Sequence, residues 1–162
     1  MTALSLFLAL VLMVSAAHKL AAPQRMAEAA ARLCGVSPAL GTPLAFAAAA
    51  LEAISSIAVL LEGTHLGGAM AAGTLWCGYG ALLFARRGQR LDCGCDLAAR
   101  TSPVGTIAIV RPFALAAMAL LVALVPGSLS FTVETPFAAL ALLALWFAVA
   151  ELSALPSHLR TR

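Results

Sequence analysis

Charge is what this sequence lacks most. Charged residues make up 10% of its 162 residues and aromatic residues 6%, against 62% hydrophobic. So little charge, with a mean hydropathy of +0.99, excludes an ordinary soluble domain and points to a membrane protein. The ten Lys/Arg and seven Asp/Glu leave a net charge of +3, but the basic residues lie between apolar segments and form no stripe, so nucleic acid is not an expected partner. There is no alternation of apolar and polar residues of the kind a membrane barrel needs. Internal repeats and a separate soluble segment are also absent. What is present is alanine and leucine in long runs, punctuated by Gly and Pro, which suits helices packed closely in lipid. The expected fold is an all-α bundle of four to five transmembrane helices occupying residues 1–162 as one domain.

Five apolar runs are each long enough to cross a hydrocarbon core of about 30 Å at about 1.5 Å per residue. They lie at about Leu4 to Leu20, Pro43 to Glu62, Leu66 to Ala85, Val104 to Val125 and Pro136 to Leu155. The first has neither a basic n-region nor an A-x-A cleavage site and ends in His18-Lys19, so it reads as a retained helix and not a signal peptide. The connection after it carries a short helical pattern from Pro23 to Cys34, with Arg25, Glu28 and Arg32 spaced for one charged face and Gly35 as its cap. This piece is expected to lie along the membrane surface.

Lys and Arg alternate between the connections. The N-terminus, second connection and fourth connection have none. Lys19, Arg25 and Arg32 occupy the first connection, Arg86, Arg87, Arg90 and Arg100 the third, and Arg160 and Arg162 the tail. Basic residues are retained on the cytoplasmic side, so five spans with the N-terminus outside and the C-terminus inside satisfy the whole pattern.

The most specific local signal is Asp92-Cys93-Gly94-Cys95-Asp96, in the charged connection between the third and fourth spans. Two thiols separated by one glycine close a strained disulfide, more oxidising than a structural bridge and quick to exchange with an incoming thiolate. Cys93 and Cys95 are therefore the candidate catalytic pair. Arg90 and Arg100 favour a thiolate while Asp92 and Asp96 oppose it, so the order of attack is not set. Cys77 lies about nine residues before the span exit at Arg86, or roughly 13 Å deep, and Cys34 sits in the first connection on the same face. Both are candidate relay thiols, against the plainer reading of Cys77 as a small buried hydrophobe and Cys34 as an incidental thiol.

Glu52 and Arg111 lie at matching depth, roughly 10 to 14 Å from the cysteine face. A lone charge there is costly, so an inward-facing Glu52 to Arg111 ion pair is expected. Pro112 is expected to free backbone carbonyls beside it. His18 is a candidate proton acceptor at the same face, and Lys19 is expected to snorkel to the headgroups. Glu62, His65 and Glu134 fall at the opposite face and carry no assigned role. No residue set is assigned to a metal.

His18-Lys19 closing the first span, a span bearing Glu52, the basic exit Arg86-Arg87, then Leu91-Asp92-Cys93-Gly94-Cys95 and an Arg111-bearing helix together resemble the methylamine utilisation protein MauE family, of the MauE/DoxX-like membrane group. The likeness covers nearly the whole chain in hydropathy, and its specific part is the Asp-Cys-Gly-Cys segment. Family members often continue that segment with Phe-Gly, where this chain has Asp96-Leu97.

The resemblance implies a multi-pass protein of the bacterial inner membrane that supports disulfide formation in the small subunit of methylamine dehydrogenase, which carries a tryptophan tryptophylquinone. It implies work with a thioredoxin-like, MauD-like partner. By a further analogy of plan with DsbB and vitamin K epoxide reductase, it allows a quinone as final electron acceptor, though no residue marks a site for one. These implications conflict in one respect: the client disulfides form outside the cytoplasm, while the basic connections place the cysteine face inside. Two other function classes remain open from the residues. One is soft-metal transport or binding through Cys93, Cys95 and Cys34, against which no Met-rich or His-rich tract accompanies the pair. The other is a scaffold that anchors a redox partner through small-residue surfaces at Gly67-Gly68 and Gly78-x-Gly80.

Overall fold

The computed structural model describes residues 2–91, 102–125 and 130–154. The chain runs α1 (Thr2–Ala21), α2 (Pro23–Cys34), α3 (Pro38–Leu60), α4 (His65–Ala85), β1 (Arg90–Leu91), β2 (Ser102–Pro103), α5 (Thr106–Leu124) and α6 (Glu134–Ala154). All of these except α2 and the two short strands are helices long and apolar enough to cross a membrane, five in number among the described residues. The fold is an all-α membrane bundle, as the apolar runs predict. α1 packs against α3, α5 and α6; α4 lies between α3 and α5; and α2 lies across α3.

Large side chains turned outward mark the lipid-facing surface. On α3 alone Leu44, Phe46, Leu51, Ile54 and Ile57 are exposed, which a protein surrounded by water would not sustain. Inside, Leu8 and Leu12 of α1, Val59 of α3, Trp76 of α4, Leu115 and Val122 of α5 and Ala139 of α6 form one core. Small residues let the backbones approach. A Cβ on Gly68 would stand 2.5 Å from the Val59 nitrogen, and one on Gly80 would stand 2.7 Å from the Phe113 ring. Two of the four glycines in the expected scaffold surfaces are thus consumed in packing α4 against α3 and α5, while Gly67 and Gly78 have nothing within 4 Å.

Helix ends follow local chemistry. Pro23 opens α2 at a position where its missing N–H is no loss, and Gly35 closes it in the left-handed conformation at φ 71°. The Gly35 and Val36 amides both return to the Ala31 carbonyl, at 2.8 and 3.0 Å. α3 begins at Pro38, earlier than the apolar run starting at Pro43, because Pro43 is accommodated inside the helix. At the turn into α4, the Thr64 hydroxyl donates to the Ala58 carbonyl at 3.0 Å and His65 Nδ1 donates to the Val59 carbonyl at 2.6 Å. His65 thus has the structural task of satisfying a carbonyl at the end of α3, a need common to helix termini.

Between α4 and α5 the backbone makes a clasp that periodicity does not reveal. β1 and β2 pair antiparallel, Arg90 opposite Pro103 and Leu91 opposite Ser102. The Gly88 amide donates to the Val104 carbonyl at 3.1 Å and the Val104 amide to the Gln89 carbonyl at 2.9 Å. This clasp closes the base of segment 92–101. Asp92, Cys93 and Cys95 lie within that segment and outside the described residues.

Candidate functional site

One end of the bundle gathers the C-terminal turn of α1, all of α2, the exit of α4 and the clasp. Leu33 of α2, Leu83 of α4 and Val104 beyond β2 form a small second core, with Leu82, Leu91 and Ile109 packed against it. Arg86 Nε donates to the Leu33 carbonyl at 3.3 Å, so the end of α2 is tied to the exit of α4. Cys34 follows Leu33 directly. It is a half-buried free thiol, and its neighbour packs in the same small core as Leu91, two residues before Cys93. Cys77 is also free but exposed. It shares the outer stripe of α4 with Met70, Thr74 and Phe84, so it is not the small buried hydrophobe of the plainer reading.

Beside this end, α1, α3 and α4 enclose a carboxylate. Glu52 is fully buried, and its ion-pair partner is Lys19, with Nζ 2.8 Å from Oε1 and 2.9 Å from Oε2. Lys19 Nζ also donates to Ser15 Oγ at 2.7 Å, and Ser15 in turn donates to Glu52 Oε1 at 3.0 Å. Tyr79 adds a third donor to Oε1 at 2.9 Å, and its ring lies 5.5 Å from the Lys19 ammonium. Two opposite charges are thereby buried together with every bond met, the condition under which burial is tolerated. The side chain of Lys19 is only 13% exposed, so it turns inward and does not snorkel.

This corrects the expected Glu52 to Arg111 pair. Matching depth was necessary for contact but not sufficient, because Glu52 faces the α1–α4 side of its helix while Arg111 faces α6. The Arg111 guanidinium lies 5.3 Å from the centre of the Trp146 ring, in cation–π range. Pro112 is buried inside α5 beside it. His18 sits at the same end as Lys19, and its Nε2 lies 3.3 Å from the Arg25 guanidinium. A guanidinium only donates, so Nε2 is the acceptor in that contact.

Sequence reasoning overlooked Ser15, Lys19 and Tyr79 as members of this cluster. Two signals point to them: Ser15 and Lys19 are four residues apart and share one face of α1, and Tyr79 is the single tyrosine of the chain.

A cavity of about 240 Å³ lies between α2, α3 and α4, with Cys34, Lys19 and Tyr79 on its wall among alanines and leucines. Its leucines include Leu44 and Leu51, which are exposed on the outer surface of α3.

In comparison with known proteins, the family described as Methylamine utilisation protein MauE matches residues 1–125. Neither a curated protein nor a solved structure matches the chain. The matched residues take in α1 to α5, with the Cys-Gly-Cys segment, the Glu52 cluster and the cavity. α6 follows the match.

Proposed function

Because the chain belongs to the methylamine utilisation protein MauE family, we propose that it is a membrane thiol-disulfide exchange factor in which Cys93 and Cys95 form the reactive pair and Cys34 is the relay thiol. The observation that carries this reading is the packing of Leu91, at the root of the cysteine segment, in one small core with Leu33, the neighbour of Cys34. Two residues of chain, at most about 7 Å, separate Leu91 from Cys93. The exchange conserves electrons. The thiolate of one cysteine of the pair attacks its neighbour's sulfur in a mixed disulfide with Cys34; the Cys93–Cys95 bond forms as that bond breaks, and Cys34 leaves as a thiolate.

The Lys19–Glu52 cluster serves as a fixed platform, holding α1, α3 and α4 together beneath the thiols. His18 serves as proton acceptor at this face once its Nε2 parts from Arg25, and Arg111 steadies α5 against α6. Asp92 flanks the pair and tempers its thiolate character. Cys77, on the outer stripe of α4, has no part in the exchange.

The client in this reading is the small subunit of methylamine dehydrogenase, reached through a thioredoxin-like, MauD-like partner in the bacterial inner membrane. Lys19, Arg25, Arg32, Arg86, Arg87 and Arg90 gather at the thiol end, which favours the cytoplasmic side for it and puts the N-terminus outside.

Single serine replacements test the assignment. Cys93→Ser or Cys95→Ser should abolish client disulfide formation, and Cys34→Ser should trap the pair in one redox state, read by alkylation and mass shift. Full client oxidation in Cys93→Ser would overturn the reading. An impermeant maleimide applied to intact cells reports the side of the thiol end: modification of Cys93 or Cys95 places it outside, and protection places it within.

A further inference from the structure

We propose that the cavity between α2, α3 and α4 holds one acyl chain of an anionic phospholipid whose phosphate rests on Arg86, and that this lipid covers the thiol of Cys34. The interior selects hydrocarbon. Its wall is apolar apart from Lys19, Cys34 and Tyr79, and the Lys19 ammonium and Tyr79 hydroxyl are both bonded to Glu52. A polar ligand group would have to break those bonds to find a partner inside. Size and direction then select a chain. A cavity of roughly 150 Å³ accommodates the six carbons of benzene, so one of about 240 Å³ takes about ten. Its wall runs from Leu75 to Leu83 on α4 and from Leu44 to Leu51 on α3, roughly 10 to 12 Å along the bundle at helical rise, which is the direction an acyl chain takes in a bilayer. Leu44 and Leu51 are also exposed on the outer face of α3, with half-buried Ala48 between them on the same stripe, so a chain enters sideways from the surrounding lipid.

The headgroup lies where the cavity meets the thiol end, which Leu33, Cys34 and Leu83 line. The Arg86 guanidinium closes over that end. Its Nε donates to the Leu33 carbonyl at 3.3 Å, and a Cβ on Gly35 would collide with its Nη2, so Cys34 stands between the two points that the guanidinium touches. Among the described residues nothing accepts from Nη1 or Nη2. The carboxylates at this end are engaged elsewhere, Glu52 with Lys19 and Glu28 with Arg32. Two donors of one guanidinium match two oxygens of a phosphate. Arg87, at the same helix exit and over the exposed ring of Phe84, adds to the positive field that concentrates anionic lipid. A zwitterionic headgroup brings a cation of its own into that field and gains less.

The test measures binding, in full-length protein carrying Cys93→Ser and Cys95→Ser and stripped of lipid in detergent micelles. With the reactive pair absent, its result bears on the lipid site alone and not on the exchange reading. The probes are dioleoyl phosphatidylglycerol and dioleoyl phosphatidylcholine, and labelling of Cys34 and Cys77 by N-ethylmaleimide is followed by mass. Phosphatidylglycerol at about four times its dissociation constant should slow labelling of Cys34 about fivefold and leave Cys77, which does not line the cavity, unchanged. Phosphatidylcholine at the same concentration, bound about tenfold more weakly, should slow Cys34 only about 1.4-fold. Arg86→Gln should bring phosphatidylglycerol down to that level, and Arg86→Lys, which keeps the charge, should retain part of the preference. Ala48→Leu and Ala30→Leu, which fill the cavity from different helices and leave Arg86 in place, should abolish the protection. Each variant is read against its own lipid-free rate. Equal slowing at both cysteines, or none at Cys34, would overturn the site. Equal slowing by the two lipids would overturn the anionic class and the part given to Arg86. Protection that survives both leucine replacements would put the lipid outside the cavity and overturn the proposal.

Discussion

Two charges lie inside this bundle at similar depth and are treated differently. Glu52 is sealed among three helices and bonded by Lys19, Ser15 and Tyr79. Arg111 lies over the face of Trp146, on the side where α6 joins. A compact carboxylate needs donors aimed at it, whereas a delocalised guanidinium also gains from an aromatic face. The cluster at Glu52 therefore ties α1, α3 and α4 together, while the contact at Arg111 joins α5 to α6.

The strongest way to break that contrast is Lys19→Met. It leaves Glu52 buried without its counter-ion and should cost about 3 to 5 kcal/mol of stability, measured by reversible denaturation in micelles. Lys19→Met combined with Glu52→Leu should recover most of the loss, because an apolar pair replaces an ionic one. A single variant as stable as the parent would show that the cluster does not hold the helices. Tyr79→Phe removes one donor from a charged carboxylate that keeps two others, and about 1.5 to 3 kcal/mol is expected. Trp146→Phe keeps a ring beneath Arg111 and beside Phe7 but weakens the cation–π contact and trims some core packing, so about 1 kcal/mol is expected. If this last substitution matched Lys19→Met in cost, the two sites would be equivalent and the contrast would fail.

The five spans were readable from the chain because an apolar run of membrane length admits few other structures. α2 was readable for a different reason: Pro23 and Gly35 mark its two ends with backbone chemistry that acts locally. The partner of Glu52 was not readable, because counting residues gives depth along a helix but not the direction in which a side chain leaves it. Lys19 is on a helix end, where snorkelling is the ordinary outcome, and only the packing of α1 on α3 turns it inward. The clasp at Arg90–Leu91 and Ser102–Pro103 escaped for another reason. Two-residue strands have no period to detect, and their pairing joins residues separated by the whole of segment 92–101. The thiol end as a whole could be anticipated from Cys34, His18 and the Arg86-Arg87 exit, whose helix ends the structure brings together.

The clasp also bears on kinetics. In the proposed exchange, with Leu91 paired to Ser102 and packed against the core that holds Leu33 at the end of α2, a meeting of Cys93 or Cys95 with Cys34 would be first-order and independent of protein concentration. A short tether of this kind holds two groups at an effective concentration in the millimolar range, far above what a dilute soluble reductant supplies. Exchange within the chain should then outrun exchange with small thiols in solution, so that a partner protein competes with an internal reaction and succeeds by docking, not by abundance.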